Sequence, residues 1–301
     1  MTLDLLYGAP PPSLVDVAPG AAQTSPLMPG AMLLDEIADA SADGMTMVVP
    51  PGTMERRYAL ALALKALSPG APLVALGPKD KGGSRIRKEL EGFGCVVAEN
   101  SKSHWRVCRA RRPGTLFGVE DAIAEGVLRF DKALGLWTQP GIFSWDRIDK
   151  GSALLLEALP PLSGHGADLG CGLGLLTRSV LAHEAVTAIE AVELDARALA
   201  AAKRNVTDSR AQFHWLDVRA GLPFAGLDFV LMNPPFHSAG ADDVALGRAF
   251  LQQARKALRP GGALWMVANR HLPYEAELAS LFSNVEAVTE SARFKVVRAI
   301  A

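Results

Sequence analysis

Basic residues are missing from the first fifty-five positions: the chain meets its first Lys or Arg at Arg56. A secretory signal needs a cationic start ahead of an apolar stretch, so none is expected here. No uninterrupted apolar run approaches the ~20 residues needed to cross a bilayer, so the expected location is the cytoplasm, with no membrane partner. Cysteine is scarce as well. Cys95, Cys108 and Cys171 are odd in number and show no Cys-x-x-Cys spacing, which argues against a disulfide framework and against a zinc site. They are expected as buried thiols. His104, His165, His183, His214 and His271 lack any His-x-x-x-His pairing, and no metal is expected. What remains is globular composition, 49% hydrophobic and 21% charged over 301 residues, about two domains' worth of chain.

The stretch Leu227 to Met232 is an apolar run that ends abruptly in Asn233-Pro234-Pro235-Phe236-His237. Proline cannot donate to a strand ladder and biases the residue before it towards extended backbone, so a strand must stop there and the loop is stiff. Such a turn offers two acceptors at fixed separation, the Asn233 side-chain oxygen and the Pro234 carbonyl, followed by the aromatic face of Phe236. That set suits a flat, planar amine. Upstream, Asp168-Leu169-Gly170-Cys171-Gly172-Leu173-Gly174 breaks a short strand into alternating glycines, which let backbone approach a ligand. The phosphate-binding pattern Gly-x-Gly-x-x-Gly is not matched, because position 175 is Leu. Glu193 closes the next apolar strand, 186–192, near the spacing at which doubly wound folds set a carboxylate on a ribose diol. Together these read as an adenosine-binding fold.

The region from 166 onward alternates strand and helix: strands at 166–170, 186–193, 212–216, 227–232 and 263–268, with helices at 173–182, 196–205, 241–258 and 274–282. That alternation specifies a doubly wound, largely parallel sheet, closed by two strands near 285–290 and 293–300 as an antiparallel edge hairpin. Gly170, Glu193, Asp217 and Asn233 fall at strand ends, where such sheets bind ligands. The first part reads as irregular at its start, then as a strand at 45–49, a helix at 54–67, a strand at 72–76, a helix at 84–91 and a strand at 105–108. No Asp-x-Gly-x-Gly and no Asn-Pro-Pro accompanies that first part. The boundary is expected at 135, giving domains 1–135 and 136–301. Seven acids and no base occupy residues 1–55, whereas residues 56–112 carry thirteen Lys or Arg against four acids. That local excess of nine positive charges, with Arg85, Arg87 and Lys88 at its centre, is a phosphate-facing surface in expectation.

The Asp168 glycine motif, Glu193-Leu194-Asp195 and Asn233-Pro-Pro-Phe-His237 resemble the class I S-adenosylmethionine-dependent methyltransferases, and more narrowly the two-domain ribosomal RNA guanine-N2 methyltransferases. The resemblance implies a Rossmann-like α/β fold with a seven-stranded sheet in the C-terminal domain, preceded by a degenerate related α/β domain that recognises RNA. It implies S-adenosylmethionine as cofactor and ribosomal RNA or a ribosomal subunit, with the small subunit favoured, as partner to a monomer. Gly170, Gly172 and Gly174 would lie against the ribose and methionine portions, and Asp168 would hold the ammonium directly or through water. Glu193 would accept both ribose hydroxyls and Asp217 the adenine amine beside Val218; Asn233 would border the cofactor, and Phe143, in a segment that resembles one lying over it in this family, would cover it. Asn233, Pro234, Pro235 and Phe236 would hold and stack the flipped base, and His237 is a substrate-loop residue. The same Asn-Pro-Pro-aromatic pattern occurs in enzymes acting on adenine N6 or on a protein glutamine, and a non-catalytic RNA-binding assembly factor is the remaining alternative.

Overall fold

The computed structural model describes every residue except Met1, Pro235, Phe236, Ala239, Gly240 and Asp243. The chain divides into two compact units, residues 1–129 with 139–141, and residues 130–138 with 142–301.

In the first unit, strands β1 (Asp4–Tyr7), β2 (Ala22–Gln23), β3 (Gly44–Val48), β4 (Pro72–Pro78), β5 (Val97–Lys102) and β6 (Trp105–Arg111) form one sheet in the order β2-β1-β3-β4-β6-β5. The first four run parallel and β6 is antiparallel to both its neighbours. Helices α1 (Thr53–Ala66), α2 (Ile86–Gly92) and α3 (Val119–Gly126) accompany it. Leu60 and Leu64 of α1 pack with Met45, Met47, Leu73, Ile86 and Leu90 in one buried cluster. The start of the chain departs from the irregular reading: Leu5 and Tyr7 are buried, and β1 sits inside the sheet with Leu5 opposite Met45. A four-residue run carries almost no periodic signal, so pairing across forty residues decides its conformation.

The second unit opens within the two-stranded pair β7 (Arg129–Asp131) and β8 (Leu136–Thr138), whose first residue still counts with the first unit, followed by α4 (Lys150–Ala158). Then come β9 (Gly164–Leu169), α5 (Leu175–Val180), β10 (Val186–Glu193), α6 (Ala196–Asn205), β11 (Ala211–Trp215) and β12 (Leu227–Met232). After the short antiparallel pair β13 (His237–Ser238) and β14 (Ala241–Asp242) follow α7 (Val244–Ala257), β15 (Leu258–Asn269), α8 (Glu275–Leu281), β16 (Ser283–Glu290) and β17 (Phe294–Ile300). The expected helix at 241–258 therefore starts three residues later. The sheet is seven-stranded, in the order β11-β10-β9-β12-β15-β17-β16, parallel except for β17. Strand order reverses between β9 and β12, and the crevice at their carboxyl ends is where such sheets take ligands. Strand β12 is nearly all apolar because both its faces are covered, and Phe229 leans on Gly166, where a Cβ would stand 2.1 Å from its ring. Helix α6 is alanine-rich, capped by Asp195 accepting from the Arg197 N–H, and closed by Lys203 and Arg204 in its last turn, cations that complement its dipole.

The first sheet repeats the order and sense of six of these seven strands, without a counterpart to β11. The strand matching β12 is β3, and it runs into Val49-Pro50-Pro51. The paired prolines thus recur at the same strand end with an apolar residue where Asn233 stands. The buried Arg56 guanidinium fills that end: it donates to the Pro51 carbonyl at 2.7 Å and is bound through Nε and Nη2 to Glu89 at 2.7 and 2.8 Å. Arg56 is 1% exposed, so it is no part of the phosphate-facing surface expected from the sequence.

Candidate active site

The glycine loop after β9 divides its labour. Gly170, Gly172 and Gly174 all have positive φ, +77°, +53° and +79°, which L-residues with a Cβ resist. A Cβ at Gly172 would meet nothing within 4 Å and one at Gly170 only Phe250 at 3.6 Å, and both residues line an open cavity. Gly174 is different. A Cβ there would lie 3.0 Å from Val206 and 3.2 Å from Ala202, so this residue serves the close approach of α5 to α6 and is not among those lining the same cavity. The spacing of the glycines could not separate the two uses.

Asp168 lies beneath the loop, fully buried. Its Oδ2 accepts from the backbone N–H and the hydroxyl of Thr177 at 3.1 and 2.7 Å, while Oδ1 has no hydrogen-bond partner. Burial pushes its carboxyl up to about 7, against the pull of the Thr177 bonds and with some help from the Glu193 charge. Asp168 is not on the cavity wall.

The cavity holds about 500 Å³ and is lined by Gly170, Gly172, Glu193, Asp217, Val218, Phe143, Asn233 and Pro234, together with Leu246, Phe250, Asn269 and Phe294. That volume suits a nucleoside-sized ligand. Glu193 accepts from Leu194 N and Asp195 N at Oε1 and from Gly172 N at Oε2. A carboxylate has about four acceptor positions, so Glu193 keeps one for a hydroxyl and must release Gly172 to offer a second. Burial raises its carboxyl above the ordinary value, opposed by the Asp195 and Gly172 N–H groups. Asp217 caps a short 3-10 turn and forms an ion pair with Arg219 at 2.6 Å; that hydrogen-bonded pairing holds its carboxyl below the usual range. The pair is solvent-exposed and therefore weak, so its oxygens are open to exchange. Phe143 is 64% exposed at the cavity's edge.

Asn233 is held by the start of α4, whose Asp149 lines the same cavity. Its Nδ2 donates to Asp149 Oδ2 at 2.8 Å and to Ser152 Oγ at 2.9 Å. Both amide hydrogens are thus engaged within the protein, and what Asn233 has left to offer the cavity is its Oδ1. Asp149 is also the N-cap of α4, taking the Ser152 N–H at 2.8 Å on the same oxygen. Helix capping and amide orientation are therefore one device. Pro235 and Phe236 lie outside the described residues, and His237 is described as backbone, in β13.

Arg85, Arg87 and Lys88, in the first unit, are all exposed. Arg87 pairs with Glu91 one turn on at 2.8 Å, a weak surface contact.

The grip of the segment Asp149-Lys-Gly-Ser152 on Asn233 was not read from the sequence. The Asp-x-x-Ser spacing at a helix start was the available signal. Leu246 and Phe250, one turn apart on α7, and Asn269 and Phe294, at the ends of β15 and β17, carried no signal beyond helix or strand periodicity.

The sequence pattern of the methyltransferase small domain family matches residues 133–298. A ribosomal RNA small subunit methyltransferase C from Shewanella loihica is 30% identical over 263 residues, 84% of this chain and 76% of that protein. A ribosomal RNA large subunit methyltransferase G from Streptomyces avermitilis is 41% identical over 165 residues, 53% of this chain and 43% of its own length. A 16S rRNA N2 methyltransferase from T. thermophilus, solved in complex with AdoMet and guanosine, superposes on 100% of this chain and 88% of its own with a TM-score of 0.80 and 25% identity.

Proposed function

Because the chain belongs to the methyltransferase small domain family, we propose that it transfers a methyl group from S-adenosylmethionine to the exocyclic N2 amine of a guanine in small-subunit ribosomal RNA. The observation that carries this reading is the orientation of Asn233, whose amide has both hydrogens committed to Asp149 and Ser152 and so presents an acceptor. A guanine N2 amine is a double donor. The relative that matches across most of both units acts on the small subunit by name, whereas the large-subunit match covers about one unit's length.

The residues fit the cofactor. The open space at Gly172 and the acceptor position left on Glu193 make a pocket that favours a hydroxyl-bearing ligand, and the Asp168 carboxyl buried beneath the loop, with Oδ1 unpartnered, favours a cationic one. Gly170, Gly172, Glu193, Val218 and Phe143 would hold it and Asn233 would only border it, with Asp217 exchanging Arg219 for the adenine amine and Asp168 acting on the ammonium through water. Gly174 supports the loop by packing. When bound, S-adenosylmethionine supplies a methyl group on a positively charged sulfur, which needs no further activation.

The protein's work is to orient. Asn233 Oδ1 and the Pro234 carbonyl accept the two amine hydrogens, which turns the nitrogen lone pair away from conjugation with the ring and towards the donor. Phe236 stacks on the everted base, and His237 belongs to the same substrate loop. No general base has to act before transfer. Leu246, Phe250 and Phe294 keep water from the apolar side of the cavity. Arg85, Arg87 and Lys88 contact RNA phosphates from the first unit.

The test is Asn233→Ala in single-turnover assays on ribosomal RNA. Losing one positioned acceptor should slow transfer by on the order of a hundredfold to a thousandfold and leave S-adenosylmethionine affinity near wild type by calorimetry. Transfer at the wild-type rate would contradict the mechanism.

A further inference from the structure

We propose that the catalytic unit carries its own grip on the nucleic-acid backbone, in a cleft at the carboxyl end of β15 and the turn before β17; this rests on the reading of the chain as an RNA methyltransferase. The cleft holds about 580 Å³ and is lined by Asn269, Arg270, His271, Ala292 and Arg293, without a carboxylate among them. Asn269 also lines the cavity that contains Asn233 and Pro234, so the two hollows share a wall.

The backbone holds the two arginines side by side. Asn269 pairs with Phe294 at the end of the β15–β17 ladder, and the next step is a bond from Arg270 N to Arg293 O at 2.8 Å. Both side chains are exposed. The Arg293 guanidinium makes no hydrogen bond or ion pair among the described residues. Arg270 faces Glu290 at 3.4 Å with the two side chains 60% and 46% exposed, a screened pair of the kind that contributes little and yields readily to a stronger anion. Guanidinium groups match phosphate oxygens through paired N–H donors, which a lysine does not.

The geometry also says which part of the substrate arrives there. A base that enters the cavity to meet Asn233 must leave the duplex or stack, and its sugar and flanking phosphates stay at the mouth. A cationic cleft sharing a wall with that mouth takes those phosphates. Contacts of this kind set register and affinity without reading sequence, so the cleft positions the strand while the cavity selects the amine.

The experiment uses the full chain with Arg270→Gln and Arg293→Gln together, a ribosomal RNA fragment that the wild type methylates, and salt titrations of RNA affinity. Each phosphate left without its cation should lower the slope of log affinity against log salt by about 0.7–0.9, so the double variant should shed about 1.5 from the slope and bind RNA roughly tenfold to a hundredfold more weakly near 0.1 M salt. S-adenosylmethionine affinity by calorimetry and turnover at saturating RNA should stay within about threefold of wild type. Arg270→Lys with Arg293→Lys should keep the slope. An unchanged slope and affinity in the Gln variant would overturn the cleft assignment while leaving the enzyme reading intact, and so would a loss of cofactor affinity equal to the loss for RNA. A wild-type chain that binds the cofactor and methylates no ribosomal RNA would overturn both.

Discussion

Asn233→Asp converts the geometry around the Asn233 amide, the acceptor proposed for the substrate amine, into a titration. The atom that replaces Nδ2 would be an oxygen 2.8 Å from Asp149 Oδ2 and 2.9 Å from Ser152 Oγ. Two carboxylates with charge centres about 4 Å apart repel by about 4 kcal/mol at an effective dielectric of 20. That is about three pKa units, enough to move one proton of the pair from the usual range near 3.9 to about 7. Below that pH the shared proton bridges position 233 to Asp149, and the carbonyl oxygen of the new side chain faces the cavity as the Asn233 amide oxygen does. Above it both groups ionise and the side chain at 233 swings away. The variant's transfer rate, taken as a ratio to wild type at saturating cofactor, should therefore fall about tenfold per pH unit between about 7 and 8.5. Adding Asp149→Asn removes the repulsion and should flatten that ratio over the same window. Single-turnover transfer across pH 5.5–8.5 for the single variant, the double variant and wild type measures it. A ratio for Asn233→Asp that is flat with pH, or that falls equally with Asp149→Asn present, would refute the argument.

The two glycines separate in the same spirit. Gly174→Ala, at φ +79° with a Cβ 3.0 Å from Val206, should cost about 1–2 kcal/mol of backbone strain and about 1–3 kcal/mol more from crowding, whereas Gly172→Ala, facing open space, should cost the strain alone, about 1–2 kcal/mol, and weaken cofactor binding; chemical denaturation and calorimetry read the two. Asp168 has its carboxyl raised from 3.8 to about 7. A carboxyl raised in the folded state favours folding while protonated, so its contribution is complete below about pH 4 and is lost as pH climbs through 7. Asp168→Asn should accordingly gain on wild type in the cofactor-free melting temperature from pH 4 to 7 and level off above, and a constant offset would sink this reading. In the first unit, Arg85→Glu with Lys88→Glu should weaken RNA binding and flatten its salt dependence, while Arg87→Glu, which surrenders a charge already shared with Glu91, should do so less.

The catalytic sheet was legible because its strands are apolar runs closed by glycine, acid or proline at their carboxyl ends. Glu193, Asp217 and Asn233 could be placed by periodicity alone. The first unit was harder to read for a physical reason. Strand β1 is four residues long and its partner β3 lies forty residues away, so nothing local marks it, and the polar edge strand β5 shows mostly exposed residues. Side-chain roles were less legible than positions. Asp168 sits where a ligand contact was expected but turns inward to Thr177, and Gly174 shares the φ of its neighbours yet answers to helix packing. Arg56 looked like part of a basic surface because burial of an arginine depends on Glu89 and two proline carbonyls brought in by the fold. The hold of Asp149 and Ser152 on Asn233 joins residues more than eighty positions apart, and the Asp-x-x-Ser spacing marks the helix start without pointing to that distant partner.

The most direct measurement is the identity of the methylated nucleoside. Full-length protein is incubated with methyl-labelled S-adenosylmethionine and small-subunit ribosomal RNA, the RNA is digested to nucleosides, and the label is located by chromatography and mass. The account predicts N2-methylguanosine, formed at the wild-type Asn233 and lost with Asn233→Ala. Label in N6-methyladenosine, label in protein, or no label in RNA from a chain that binds the cofactor would contradict it.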